Sequence, residues 1–243
     1  MYDFSQKVVL VTGASQGLGA GMAKAFAERG ALVMLCSRSE EKLKKVTDSI
    51  VSQGGKAAYC VCDITDDQMV DAMIAKTEEM FGFVDILINN AALHTSLPVV
   101  DTTKPLWDKQ IGTNLTGTFL CTRAVLPSMI KRKGGKILNI SSSAAKHFFP
   151  GFGAYAASKG GIVSFTHTLS EEVKQHNINV NAIYLGMTNT EYTQQRMADD
   201  KAVTIPLDQM MQIEDVLPVI MFLTSDDART IMGAAIDVFG KKS

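Results

Sequence analysis

Tyr155 and Lys159 stand four residues apart in Tyr155-Ala156-Ala157-Ser158-Lys159, so on a helix the phenol and the amine share one face, one turn apart. A phenol with an ordinary pKa of about 10 moves few protons at pH 7, and a neighbouring ammonium stabilises the phenolate and draws that pKa toward the working range. Such a tyrosine gives a proton to a carbonyl oxygen as hydride reaches the carbon, or takes one from an alcohol. The pair alone is common on surface helices. It gains meaning from Ser142, thirteen residues upstream in Ser141-Ser142-Ser143. Spacing does not tell which of these serines points inward, and a serine-rich turn at a strand end needs no ligand.

A second chemical feature lies near the N-terminus. An apolar run ends in Thr12-Gly13-Ala14-Ser15-Gln16-Gly17-Leu18-Gly19, which opens a helical pattern. Gly13 permits the tight turn, Gly17 lets backbone approach a pyrophosphate at the helix N-terminus, and Gly19 lets that helix lie close on a sheet. Three glycines alone also occur in ordinary turns; their place between the first strand and first helix of an alternating chain points to a dinucleotide. The spacing G-x-x-x-G-x-G is neither that of a P-loop nor the standard G-x-G-x-x-G, which argues against an ATPase.

The elements that must hold these groups alternate along the chain. Strands are expected over Lys7–Thr12, Ala31–Cys36, Ala57–Val61, Val84–Ile88, Lys136–Ser141, Ile178–Ile183 and Ala235–Phe239. Helices are expected over Gly17–Arg29 (Leu18, Met22, Ala25 and Phe26 inward), after a Ser39 cap, and over Asp66–Phe81 with Met69, Met73 and Met80 inward. Further helices are expected over about Pro105–Lys131 as one long element, Tyr155–His176 and Asp215–Leu223. Seven apolar strands separated by helices predict an α/β, Rossmann-type doubly wound sheet, mainly parallel, with helices on both faces. No linker or repeat divides residues 1–243, so a single domain is expected. The stretch Gly186–Leu207 reads as irregular, and a loop of that length in a compact domain is usually functional.

Composition excludes several classes. With 243 residues, 24 Lys+Arg against 25 Asp+Glu and 46% hydrophobic residues, the chain has no basic excess for nucleic acid and too much apolar content for global disorder. No run reaches the ~20 apolar residues of a membrane helix, and Met1–Lys7 lacks the basic start of a signal peptide. Cys36, Cys60, Cys62 and Cys121 are too sparse for a disulfide framework and lack zinc spacing, so no metal and a reducing cytoplasm are expected.

Taken together, the motifs resemble those of the short-chain dehydrogenase/reductase (SDR) family over nearly the whole length, Lys7 to Gly240, and most closely its 3-oxoacyl-(acyl-carrier-protein) reductase-like members. Thr12–Gly19 resembles the family's T-G-x-x-x-G-x-G, Asn89-Asn90-Ala91-Ala92 its N-N-A-G, and Tyr155/Lys159 its Y-x-x-x-K. Ser142 and Asn114 fall at the positions of its serine and helical asparagine. The resemblance implies that Tyr155 is the proton donor and acceptor and that Lys159 binds the nicotinamide ribose and lowers the phenol pKa. It further implies that Ser142 hydrogen-bonds the substrate oxygen and that Asn114 holds a water in a relay to Lys159. It places Gly13, Ser15, Gln16, Gly17, Leu18, Gly19, Ser37, Arg38, Asp63, Ile64, Asn90, Ala91, Thr188 and Thr190, with Tyr155 and Lys159, on the cofactor. It also implies a substrate lid at about 187–212 and a homotetramer in contact through the Asn114 and Tyr155 helices. The chain departs from the pattern at Ala92, at Leu185-Gly186, and at Phe239-Gly240-Lys241-Lys242-Ser243.

Ser37-Arg38 closes the second strand without the acid that would hydrogen-bond a ribose 2′-hydroxyl, and an Arg there accommodates a 2′-phosphate. NADP(H) is therefore favoured. Gln16 in place of a second basic residue, and the nearby Glu40 and Glu41, keep NAD(H) as the alternative, with Arg38 stacked on adenine. His147, Phe148, Phe149 and Phe152, with Met187, Tyr192, Met197, Met210 and Met211, suggest an apolar substrate pocket, although methionines also fill cores. His94 and His147 face either substrate or solvent. Lys131, Arg132, Lys133, Lys136, Lys174 and His176 are either helix-end cations or a dock for an acidic carrier. The expected reaction is hydride transfer between NADP(H) and a ketone or secondary alcohol, with a 3-oxoacyl thioester on coenzyme A or a carrier protein as substrate. An NAD(H)-linked alcohol, sugar or steroid dehydrogenase is the alternative. A non-catalytic nucleotide sensor on the same fold is the reading from another class.

Overall fold

The strands are β1 (Val8–Thr12), β2 (Leu32–Ser37), β3 (Lys56–Val61), β4 (Ile86–Asn89), β5 (Gly135–Ser142), β6 (Ile178–Leu185) and β7 (Ala235–Val238). In the computed structural model, which describes residues 2–199, 206 and 209–240, they form one sheet in the order β3-β2-β1-β4-β5-β6-β7. Every pairing is parallel. The helices are α1 (Gly17–Ala27), α2 (Glu40–Ser52), α3 (Asp67–Phe81), α4 (Lys104–Ile111), α5 (Gly117–Arg132), α6 (Gly153–Val173), α7 (Glu191–Asp199) and α8 (Ile213–Thr224). Residues 200–205, 207 and 208 of the expected lid, and Lys241-Lys242-Ser243, lie outside the described residues.

Parallel strands need crossovers, and helices on both faces bury them, so the central strands read as unbroken apolar runs. All five residues of β1 are buried. One core layer joins Met22, Phe26, Leu43, Val216 and Ile220 beneath α1, α2 and α8. The other joins Met73, Val125, Met129, Leu169 and Val173 beneath α3, α5 and α6. Strand order reverses between β1 and β4, which opens a crevice at their carboxyl ends.

Four expectations are corrected. Helix α3 buries Val70, Met73, Ile74 and Thr77, while Met69 and Met80 are exposed: a 3.6-residue stripe at 70/73/74/77 covers more apolar surface than the methionine spacing. The single long helix is interrupted by a π turn, Gly112–Thr116, between α4 and α5. The stretch read as irregular contains α7, a polar helix without an apolar stripe; Thr190 stands before it, its Oγ1 accepting from Thr193 N–H at 3.1 Å as an N-cap does. Ser39 sits at the N-cap of α2 but its side chain makes no capping bond.

Candidate functional site

The glycine loop is shaped by close approaches. Gly13 has φ +66°, and a Cβ there would lie 2.8 Å from Ala91 Cα; one on Gly19 would lie 2.2 Å from Gly13 O. Thr12 ties this loop to the end of β4: its Oγ1 accepts from Asn90 N–H at 3.0 Å and Ala91 N–H at 3.1 Å. The Asn90 side chain returns the link, donating to Thr12 O at 2.9 Å. Asn90 and Ala91 thus build the loop as well as line the crevice. At the N-terminus of α1 the Gln16 side chain makes no capping bond, which leaves the helix-start amides facing the crevice. Over this loop lies Thr190, 3.3 Å from where a Gly17 Cβ would be.

Across the crevice lie the serines at the end of β5 and, on α6, Tyr155 and Lys159. Consecutive strand residues face opposite ways, so the serine run divides. Ser141 is buried and donates to Lys159 O at 2.8 Å, whereas Ser142 lines the crevice with its Oγ accepting from Ala144 N–H at 3.2 Å. Lys159 is 2% exposed. Its ammonium donates to Ile140 O at 2.7 Å and stands 5.8 Å from the centroid of the Tyr155 ring. Burial pushes its pKa down to about 8. An ammonium this dry and this near the phenol favours the phenolate more strongly than one in water.

Asn114 lies behind the crevice rather than in it. It sits in the π turn, fully buried, with its carboxamide donating to Leu93 O and to Ser158 Oγ, each at 2.9 Å, and accepting from Leu93 N–H at 2.7 Å. Ser158 in turn donates to Tyr155 O at 2.7 Å. The side chain therefore braces the Tyr155 turn against the loop after β4, and its direct partners do not include Lys159.

The adenine end is framed by Ser37, Arg38, Asp63 and Ile64. Arg38 approaches Asp63 at 3.9 Å, with both side chains well exposed. Burial alone would raise the Asp63 carboxyl, but hydrogen bonds from Thr65 and the Arg38 charge hold it below the usual carboxylate range. Sequence reasoning missed Lys42. Its ammonium donates to Gln16 at 2.6 Å and lines the crevice beside Ser37 and Arg38. The available signal was its position in the first turn of α2, four residues beyond Arg38. His94, left ambiguous by sequence, and Tyr192, expected in the lid, also line the crevice.

These groups enclose about 500 Å³, running from Arg38 and Asp63 past the glycine loop to Ser142 and Tyr155. The expected cofactor residues Gly13, Ser15, Gln16, Gly17, Leu18, Gly19, Thr188 and Thr190 all line it. An elongated cleft with uncapped amides at its middle, cations at one end and a phenol–ammonium pair at the other fits a nicotinamide dinucleotide. A cavity of about 630 Å³ at the amino ends of the strands is also bordered by cations, Lys7, Arg132 and Lys136, but has neither the glycine loop nor the phenol–ammonium pair.

Known proteins agree with this architecture. The profile of the family described as short chain dehydrogenase matches residues 7–201. The chain is 35% identical over 237 residues to 3-oxoacyl-(acyl-carrier-protein) reductase FabG of Thermotoga maritima, covering 96% of each. It is 33% identical to dehydrogenase/reductase SDR family member 4 of Sus scrofa, covering 96% of this chain and 86% of that one. Among solved structures, an actinorhodin polyketide ketoreductase variant with NADPH superposes with a TM-score of 0.91 at 30% identity, covering 97% of each chain. An NAD+-bound xylitol dehydrogenase superposes with a TM-score of 0.92 at 29% identity, covering 98% and 99%. With the crevice at the strand reversal and the phenol–ammonium pair at its end, these matches establish that the chain belongs to the short-chain dehydrogenase/reductase family and is an NAD(P)-dependent oxidoreductase.

Proposed function

We propose that the chain is a single nucleotide-binding domain with a substrate lid at about 187–212, and that it reduces the ketone of an apolar 3-oxoacyl thioester with NADPH preferred. The observation that carries the cofactor preference is the pair of cations, Arg38 and Lys42, beside a β2 end that bears Ser37 instead of an acid. Two cations suit a 2′-phosphate, and no carboxylate stands at Ser37 to claim a 2′-hydroxyl. The acyl-thioester reading takes its support from the name of the Thermotoga maritima relative and from the rings of Phe149 and Phe152, 5.3 Å apart, beside Tyr155.

We assign the residue roles on this reading. The nicotinamide supplies the hydride when bound. Tyr155 gives the phenol proton to the ketone oxygen as the carbon is reduced. Ser142 donates a hydrogen bond to the same oxygen and stabilises the charge that develops there. The Lys159 ammonium stabilises the phenolate left behind and hydrogen-bonds the ribose. Asn114 holds the helix turn that aims Tyr155.

A second reading, an NAD(H)-linked alcohol or sugar dehydrogenase, is favoured by Asp63 near Arg38 and by the likeness to NAD+-bound xylitol dehydrogenase. Of the six cations considered for a carrier dock, Arg132, Lys136 and Lys174 are ion-paired with Asp85, Asp226 and Glu171. We place the enzyme in the cytoplasm, without nucleic-acid or membrane partners; no helix among the described residues is long and apolar enough to cross a membrane. A homotetramer through the α4–α5 and α6 faces would cover Trp107 and Phe119, each 42% exposed.

The test follows cofactor oxidation on adding a short 3-oxoacyl-CoA, with NADPH and NADH in parallel and Tyr155→Phe as control. Turnover preferring NADPH, lost in Tyr155→Phe with cofactor affinity kept, supports the reading. NADH preference overturns the cofactor assignment. Silence with both sinks the thioester and turns to ketones and alcohols; silence there too revives a non-catalytic nucleotide sensor.

A further inference from the structure

His94 lies in the loop after β4, in a position that sequence left open between substrate and solvent. Its imidazole is wedged between two rings: its centroid is 4.3 Å from that of Tyr155 at 72°, and 4.5 Å from that of Phe152 at 70°. Phe152 and Tyr155 are themselves 6.1 Å apart and nearly perpendicular. The three rings thus meet edge to face, the arrangement aromatic quadrupoles favour. Phe152 and Tyr155 bracket the first turn of α6, so the imidazole fills the space into which the Tyr155 ring would otherwise swing.

The backbone beneath this wedge is held from two sides. Leu93 is pinned from behind by Asn114, through both its N–H and its C=O. His94 is held from the front by Tyr192 of α7, whose hydroxyl accepts from His94 N–H and donates to His94 O, each at 3.3 Å. Both bonds are long for hydrogen bonds with a hydroxyl, so each is weaker than one of ordinary length. Tyr192 is the second residue of α7, and Thr190, just before that helix, covers Gly17 of the glycine loop.

We propose that His94 is a positioning residue for the Tyr155 phenol, and that Tyr192 acts through it, so that the seating of α7 over the cleft and the alignment of the proton donor are one event. The ring, not the basicity of the imidazole, does the positioning. This inference rests on the reading of Tyr155 as proton donor.

The test compares wild type, His94→Ala, His94→Phe, Tyr192→Phe and the double variant His94→Ala/Tyr192→Phe. Turnover uses NADPH and a ketone that wild type reduces. Separately, NMR of 13C-labelled tyrosine in the cofactor-free protein follows the Tyr155 ring, assigned with Tyr155→Phe. His94→Ala is expected to lower kcat about tenfold or more with NADPH affinity unchanged, and to speed flipping of the Tyr155 ring. His94→Phe should recover kcat to within about threefold and restore slow flipping. Tyr192→Phe should cost a few-fold in kcat, and the double variant should be no worse than His94→Ala, because one residue acts through the other.

Wild-type kcat in His94→Ala overturns the proposal. Equal losses in His94→Ala and His94→Phe also overturn it, and would make the imidazole itself the working group. Additive losses in the double variant overturn the link to Tyr192. Should His94→Ala fold poorly, His94→Phe and Tyr192→Phe carry the comparison: loss of kcat in the first, or an unchanged kcat in the second, refutes it. Absence of turnover in wild type removes the proton-donor reading and the proposal with it, whereas altered ring flipping without loss of kcat refutes the proposal alone.

Discussion

Lys159 and Ile140 are joined by a 2.7 Å hydrogen bond that anchors a fully buried ammonium to the last buried carbonyl before the β5 serines. That bond and the Tyr155 ring, 5.8 Å away, offset its loss of water only in part, and burial drives its pKa down to about 8. The group is a cost to the fold.

That cost has a pH signature. The folded pKa lies below the ordinary lysine value of 10.5, so between about 8 and 10.5 the unfolded chain binds more protons. Stability from this group therefore rises with pH across that window, and the penalty, about 3 kcal/mol at most, is fully present below pH 8. Lys159→Met removes the charge but strands the Ile140 carbonyl, which returns ~1–2 kcal/mol. Urea unfolding of the cofactor-free protein at pH 7 should find the variant about 1–2 kcal/mol more stable, with the gain shrinking by pH 10. Ketone reduction should fall about 100-fold or more, and wild-type kcat/KM should decline as pH passes about 8. A variant less stable at pH 7 would count against this account.

Cofactor choice should respond to the two cations separately. Arg38→Ala and Lys42→Ala are each expected to weaken NADPH about tenfold, the loss of one charge-assisted bond, while NADH changes less than about twofold. Ser37→Asp should invert the preference, since a carboxylate there repels a 2′-phosphate and accepts from a 2′-hydroxyl. Fluorescence titration with both nucleotides reads this directly. Equal loss of both in Lys42→Ala would mean that Lys42 only holds Gln16.

The adjacent serines should separate stability from turnover. Ser142→Ala is expected to lower kcat/KM about 100-fold and to cost less stability than Ser141→Ala, because its hydroxyl faces the crevice and its one bond, from Ala144 N–H, is long at 3.2 Å. Ser141→Ala should cost about 1 kcal/mol of stability, because its hydroxyl is spent on Lys159 O. Steady-state kinetics and denaturation of the two variants side by side check this, and the opposite pattern would mean that the serines had been assigned to the wrong faces.

Much of this site was legible in sequence because its information is local. The turn through Gly13, the open start of α1 at Gly17 and the four-residue step from Tyr155 to Lys159 each depend on neighbours along the chain. The central strands were legible for the same reason, since burial on both faces makes them largely apolar, and the edge strands β3 and β7 by their short apolar runs between helices. What escaped depends on distant partners. Lys42 becomes a crevice residue only because α2 starts beside Gln16, twenty-six positions earlier. The wedge at His94 depends on α6 and α7 arriving from two directions. Helix α7 has no apolar stripe and left no periodic trace. The inward face of α3 was misread because methionine spacing imitated a stripe that Val70, Ile74 and Thr77 supply.

The π turn at Gly112–Thr116 makes the α4–α5 rod one residue longer than a regular helix would be. In genetic terms the asparagine rides on an insertion. Losing any single codon from that stretch would heal the helix and turn α4 by about 100° relative to α5. The result would be a well-formed rod that no longer presents a carboxamide to Leu93 and Ser158. The chain thus stands one deletion away from a sequence that folds more regularly and has lost the brace behind its own acid.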